Sequence, residues 1–218
     1  MNINFALQDR FLERFFAGPL SEQFYLTGGT ALARFYFHHR ESLDLDLFTN
    51  DWGQDFARVN QFILVIWHTL ELQIISQVAT DTFIQYIVAD VAGSSLKVDL
   101  VKDVPVHFGD LITKNGVRID SLENIGANKV LAVFGRSDAK DFIDLYWILQ
   151  HTDLKFDELY LQAQQKDKGL SELYLAYALK NIEKIHLFPR MLEPLAWEEI
   201  TGYFQALARK LLIQIKPD

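Results

Sequence analysis

Two glycines and three aspartates are the residues of this chain best placed to do chemistry. Gly28-Gly29-Thr30 and Asp44-x-Asp46 lie in FYLTGGTALARFYFHHRESLDLDLF (24–48), and Asp99 lies in SLKVDLV (95–101). In a strand, residues two apart share a face. Asp44 and Asp46 therefore point together, and Leu43, Leu45 and Leu47 point the other way. An isolated D-x-D is most often a strand with one face in water. Here Asp99 repeats the theme on a second strand-like run, with Lys97 on its face. If a sheet sets that run beside the first, three carboxylates converge, and like charges so close repel unless a cation lies among them. Hard oxygen ligands suit Mg²⁺ or Mn²⁺. A two-ion site of this kind holds its ions ~3.5–4 Å apart and clamps the attacking and leaving oxygens of a phosphoryl group. Gly28 and Gly29 precede a helix-like run, where glycine lets backbone approach a phosphate and free N–H groups attract an anion. Thr30 adds a hydroxyl to that offer. The expectation is that the glycines hold a triphosphate and the acids hold its metal.

The elements that must position these residues follow from periodicity. Helical spacing predicts a helix over Phe5–Ala17, ended by Gly18-Pro19, and another over Thr30–His38. Phe24-Tyr25-Leu26 is a short apolar lead into the glycines, and Leu43–Phe48 alternates at period two as a strand does. A helix over Gln54–Leu70 precedes three β-rich runs, Leu72–Val78, Thr82–Ala89 and Leu96–Val101, whose short gaps favour an antiparallel meander. Asp103–Asp120 reads as loop. Beyond it the pattern is helical: Ser121 to about Phe134, Asp138–Leu149, Phe156–Gln165, Ser171–Ile185 and Trp197–Ile215. The expected organisation is an α/β domain over residues 1–120 and a helical domain over 121–218, with the active site in the cleft between them.

In the helical half, Lys140, Asp141 and Asp144 occupy positions i, i+1 and i+4 of one helix, so Asp141 and Asp144 share a face. Lys129 lies one helix earlier, and a lysine near carboxylates is suited to neutralising phosphate charge. The plainer use of any one of them is surface ion pairing, such as Lys140 with Asp144. Arg40 and Ser42 either shape the loop into the Asp44 strand or touch nucleotide phosphate. His38 and His39 are adjacent and make a poor metal pair, and the other histidines, His107 among them, read as structural.

These motifs together resemble the AbiEii/AbiGii-type nucleotidyltransferases of the polymerase-beta-like superfamily, which include toxins of abortive-infection toxin–antitoxin systems. The resemblance rests on Gly28-Gly29-Thr30-Ala31-Leu32, on His39-Arg40-x-Ser42-x-Asp44-Leu45-Asp46-Leu47-Phe48, on Ala127-Asn128-Lys129, and on Arg136 with Lys140-Asp141-Phe142-Ile143-Asp144-Leu145-Tyr146. It implies an α+β fold with a mixed or antiparallel sheet followed by a helical domain. It also implies metal-dependent transfer of a nucleoside monophosphate from NTP to an acceptor. Gly28, Gly29 and Thr30 would hold the triphosphate, with Arg40, Ser42, Lys140 and Asp144 also on the nucleotide side. Asp44, Asp46 and Asp99 would hold Mg²⁺ or Mn²⁺, Asp99 acting as ligand or as base. Lys129 and Asp141 would join the catalytic set. The acceptor stays open among tRNA or another RNA, a protein and a small molecule, and an antitoxin protein is a candidate partner. Two departures stand out. The glycine motif is G-G-T where the wider superfamily has G-S. The acid in GRSDAK (135–140) interrupts a segment that is usually more basic, which leaves the role of Arg136 open. The alternatives are a nucleotide-binding or protein-interaction module without turnover, and a metal-dependent phosphohydrolase.

Composition sets the outer bounds. With 218 residues, half of them hydrophobic, folding buries roughly 70% of the unfolded surface without staples. The absence of cysteine excludes disulfides, zinc–thiolate sites and cysteine nucleophiles. A net charge of −8 lacks the footprint of a non-specific DNA binder. The N-terminal stretch carries Asp9, Arg10, Glu13 and Arg14 and is no signal peptide, and no apolar run spans a bilayer. A cytoplasmic location is the default.

Overall fold

The structure, a computed structural model, describes residues 5–214. Ile215, the expected end of the last helix, and the first four residues of the N-terminal stretch lie outside them. The chain forms two compact units. Among the described residues one comprises residues 5–36 and 42–121, the other residues 37–41 and 122–214.

The first unit is built on a mixed seven-stranded sheet in the order β3-β4-β5-β2-β1-β7-β6. Its strands are β1 (Tyr25–Thr27), β2 (Asp44–Thr49), β3 (Gln73–Ala79), β4 (Phe83–Ala89), β5 (Ser95–Lys102), β6 (Ile112–Lys114) and β7 (Val117–Ile119). The meander expected of the three β-rich runs is present, with β4 antiparallel to both β3 and β5. β5 then runs parallel to β2, and β2 antiparallel to β1.

Alternation gives this sheet one apolar face. Leu26, Leu45, Leu47, Ile84, Tyr86, Val88, Val98, Leu100 and Ile119 are all buried. Helices α1 (Phe5–Phe16) and α3 (Phe56–Thr69) meet that face through aromatic rings, Phe11 lying 4.8 Å from Trp67 and Trp67 5.7 Å from Tyr86. Asp55 caps α3 by accepting from the N–H groups of Ala57 and Arg58. The helix expected at Thr30–His38 starts two residues earlier, at Gly28, and is irregular. A four-residue α2 (Gly28–Ala31) passes into a π-helical turn, Leu32–Tyr36, and His38 sits at φ +56°.

The segment expected as loop before Ser121 contains the hairpin β6–β7. Asn115 and Gly116 form its turn at φ +51° and +76°. A two-residue hairpin turn of matching twist needs positive φ at both positions, and Asn-Gly is the pair that supplies it most readily.

The second unit is helical: α4 (Leu122–Gly135), α5 (Ala139–His151), α6 (Phe156–Lys166), α7 (Glu172–Lys180) with a 3₁₀ turn after it, and α8 (Trp197–Gln214). Its core includes Ile125, Val130, Phe142, Leu145, Leu159, Leu175, Leu179 and Phe204, all shielded from solvent. The strap Phe37–Glu41 belongs to this unit. Its backbone bonds to the 190–193 segment, with Glu41 N–H donating to Arg190 O and the N–H groups of Leu192 and Glu193 donating to His39 O. Ser171 and Asp138, expected inside helices, instead cap α7 and α5 from outside.

No side-chain atom lies within 4 Å of a Cβ built on Gly116. Gly116→Ala therefore meets backbone strain alone and lowers stability by about 1 kcal/mol. Urea unfolding checks this, and an unchanged midpoint would refute the turn.

Candidate active site

The polar face of the sheet unit gathers the first set of residues. Parallel pairing sets Asp44 beside Lys97 and Asp46 beside Asp99, and antiparallel pairing sets Thr27 beside Asp46. Directly paired residues project from the same face. Asp99 is in turn paired with Gln85 on β4. Gln85, Asp99, Asp46 and Thr27 thus form one row across four strands. The row continues at the end of β7, where Thr27 Oγ1 donates to the buried Asp120, whose other oxygen bonds His107 Nε2 at 2.9 Å.

Gly28 follows Thr27 at φ +68°, a conformation that L side chains adopt at a cost. A Cβ on it would stand 2.6 Å from Asp46 Oδ2. Only glycine allows the backbone to pass so close to that carboxylate, so the turn and the acid pair are fitted to each other. Thr30, expected to offer its hydroxyl to an anion, is fully buried and turns that hydroxyl to Ser42 Oγ, at 2.8 Å, and to the backbone oxygen of Asp44. Thr30 and Ser42 thereby tie the short helix to the start of β2.

The charge on this face is partly balanced from within. Lys97 Nζ lies 2.8 Å from Asp99 Oδ2 and 3.5 Å from Asp44 Oδ2. Burial pushes the ammonium down, but the hydrogen bond to Asp99 and the charges of Asp44, Asp99 and Asp46 outweigh it and hold the group above its ordinary value. Gln85 Nε2 donates to Asp99 Oδ1 at 2.9 Å. Among the described residues no group of three or more carboxylate or imidazole side chains forms a ready metal cage. The donor chemistry still fits a hard divalent ion: carboxylate oxygens on one face of adjacent strands, beside a glycine turn that leaves Asp46 room.

The helical unit gathers the second set. Asp144, fully buried, receives Arg40 through Nε at 2.7 Å and through NH2 at 2.6 Å, Lys129 Nζ at 2.7 Å and His39 Nε2 at 2.8 Å. Lys129 also bonds Asp141 at 2.8 Å, and Arg136 reaches the other oxygen of Asp141 at 2.6 Å. Burial would raise both carboxyls, but the neighbouring cations prevail. Lys129 and then Arg40 hold Asp144 well below the usual carboxylate range, and Lys129 with Arg136 holds Asp141 down. Because Asp144 is ionised it must accept, so the Nε2 of His39 carries the proton. The His39 ring stacks on Trp147 at 5.2 Å.

The expected surface pairing of Lys140 with Asp144 is corrected by this arrangement. Asp144 is inaccessible, and Lys140 lies 3.5 Å from Asp138 at the helix entrance instead. Arg136, half exposed, is the member of the cluster that reaches the surface, and it does so as a partner of Asp141. His39 and Gln85 are site residues that sequence reasoning missed. Gln85 had a legible signal, since it alternates in phase with Phe83 and Ile87 on a meander strand next to Asp99. His39 opens the motif His39-Arg40-x-Ser42-x-Asp44, but its role was not legible, because its partner is 105 positions away.

Comparison with known proteins places this architecture. The fold is that of nucleotidyltransferases. A Helicobacter pylori protein assigned to that class matches 98% of this chain and 96% of its own, at TM-score 0.63 and 20% identity. JHP933 from Helicobacter pylori matches 94% and 89%, at TM-score 0.61 and 20% identity. MenT4, the nucleotidyltransferase toxin Rv2826c of Mycobacterium tuberculosis H37Rv, matches 98% and 84%, at TM-score 0.55 and 15% identity. The chain belongs to the nucleotidyl transferase AbiEii toxin family of type IV toxin–antitoxin systems, whose model matches residues 10–217. No curated protein matches it.

Two expectations follow from the buried cluster. Asp144→Asn keeps the shape but leaves Arg40 a buried cation without its carboxylate and Lys129 with Asp141 alone, so it costs about 3–5 kcal/mol, read by urea unfolding. A loss under 1 kcal/mol would show that the cluster is incidental. His39 is held below its ordinary value, chiefly by burial and against the pull of Asp144. The unfolded chain therefore takes up a proton near pH 6.5 where the folded chain resists it. Stability is full above that pH and declines as pH falls below it, and His39→Gln should flatten the slope between about pH 7.5 and 5.5. The Asp144 contribution is lost only at lower pH, below the ordinary carboxylate value of about 3.9.

Proposed function

We propose that this chain transfers a nucleoside monophosphate from an NTP to an acceptor hydroxyl. The observation that supports this best is the fit between Gly28 and Asp46. The only residue type that admits the turn stands against a carboxylate whose strand neighbour is Asp99. Gly28, Gly29 and Thr30 at the start of α2 suit a triphosphate by position, and Asp44, Asp46 and Asp99 suit its divalent ion, Mg²⁺ or Mn²⁺. When bound, such an ion neutralises the charge that develops on the phosphoryl oxygens.

In this reading the acceptor oxygen attacks the α-phosphorus in line. A new P–O bond forms, the bond to the β-phosphate oxygen breaks, and pyrophosphate leaves. The acceptor proton passes to a carboxylate of the set, with Asp99 as ligand or base. Thr30 and Ser42 hold the start of β2, and so the angle at which Asp44 and Asp46 are presented. We read Arg40, Lys129, Asp141 and Asp144 as the latch that orders the strap before Ser42, with Lys140 at the solvent edge of α5.

Family membership and the likeness to MenT4, a nucleotidyltransferase toxin, support the further reading that the chain acts as a toxin countered by an antitoxin. RNA, including tRNA, a protein and a small molecule are the acceptor classes that fit. Among the described residues no helix is long and apolar enough to cross a membrane.

The test is a transfer assay with each of the four α-³²P-labelled NTPs, Mg²⁺ and total cell extract. Label should move into one acceptor class with the native chain. Asp46→Asn should lower transfer by about a hundredfold or more with its urea midpoint unchanged. Full activity in a folded Asp46→Asn variant, or no transfer from any nucleotide, would sink the reading.

A further inference from the structure

Lys97 Nζ lies between Asp44 and Asp99, two of the carboxylates that a two-ion site would share. In a two-ion site both cations share carboxylates and lie ~3.5–4 Å apart. Here the carboxylate that would complete such a pair is already engaged. Asp99 Oδ1 accepts from Gln85 Nε2 at 2.9 Å, and its Oδ2 accepts from the Lys97 ammonium at 2.8 Å. The same ammonium is 3.5 Å from Asp44 Oδ2, so it bridges the first and third acids of the set.

The sheet fixes the face from which Lys97 reaches these acids. β5 is an interior strand, flanked by β4 and β2. Leu96 and Val98, on either side of Lys97, are buried on the opposite face, so alternation commits Lys97 to the acidic one. Register then pairs Lys97 directly with Asp44, and Asp99, two residues on, directly with Asp46. Gln85, paired with Asp99 from the other side, keeps that carboxylate turned toward the row. A divalent ion bridging Asp44 and Asp99 would lie against the ammonium, and like charges a few ångströms apart repel. One ammonium and one divalent ion balance three carboxylates.

We propose that Lys97 is a resident cation that replaces one ion of the two-ion arrangement, so that the nucleotide-loaded site takes a single divalent ion, at Asp44 and Asp46. The inference rests on the nucleotidyl-transfer reading above and narrows it. It makes Lys97 and Gln85 members of the machinery, and it distinguishes the charge partner of Asp99 from that of Asp46.

The experiment counts Mn²⁺ bound per chain by electron paramagnetic resonance, using the α,β-methylene analogues of the four NTPs so that no turnover occurs. The native chain and Lys97→Arg should each bind one Mn²⁺ with the spectrum of an isolated ion. Lys97→Met should bind two, with a spin-coupled spectrum. Two coupled ions in the native chain would overturn the inference and leave nucleotidyl transfer standing. A single ion in a folded Lys97→Met variant would overturn it as well. No Mn²⁺–nucleotide binding by the native chain would remove both the inference and the reading beneath it. Lys97→Gln, which also removes the charge, should likewise bind two coupled ions and takes the place of Lys97→Met if that variant fails to fold.

Discussion

The parallel pairing of β2 with β5 is the constraint on which the candidate site depends. It sets Asp46 beside Asp99 and Asp44 beside Lys97, and it does so without cost to the core. Period-two alternation sends Leu45, Leu47, Val98 and Leu100 to the buried face and leaves the charged residues on the other. A slip of one residue would turn every side chain over, burying the acids and exposing the leucines. The hydrophobic core therefore enforces the register that the chemistry needs. Such a parallel neighbour requires a long crossover. Here the crossover contains α3 and the β3–β4 meander, so the connection also supplies the helix that covers the apolar face and the strand that presents Gln85.

A second constraint operates in the helical unit and is ionic rather than apolar. Asp144 sits at the centre of four donors with no access to water. A buried ion pair is weak evidence for stability, because desolvation of the charges offsets much of their attraction. Its value lies in specificity. Arg40 and His39 reach Asp144 from the strap through directional hydrogen bonds, and a placement that broke them would leave the Arg40 charge buried without its carboxylate. The strap is a short stretch of chain without regular structure, flanked by the elements that carry Gly28 and Asp44. Fixing it with directional hydrogen bonds gives it an order that its single apolar residue, Phe37, would not supply.

Much of the fold was legible. The helices after Ser121 fell close to their expected positions because their apolar periodicity is long, and the meander was legible because its turns are short. The irregular places were harder. The Asn115-Gly116 hairpin is hard to tell from loop although its turn dipeptide is a strong local signal, because its flanking strands are only three residues each. The helix after the glycines was read as regular, but Thr30 and Ser42 draw its first turn toward β2, and a π-helical turn follows.

The sequence by itself determined the composition of each face. Alternation put the three acids opposite the leucines, the glycine pair marked a turn that only glycine can make, and helical spacing put Asp141 and Asp144 side by side. These are local properties, set by the 2.0 and 3.6 periods of the backbone. Tertiary structure alone decided what each charge meets. That Lys97 bridges Asp44 and Asp99, that Gly28 abuts Asp46, and that Arg40 and His39 close on an aspartate more than a hundred positions away all depend on how strands pair and helices pack. Charges interact through space, while sequence pattern reports only on neighbours along the chain. The balance of each carboxylate became visible only when the fold brought its partners to it.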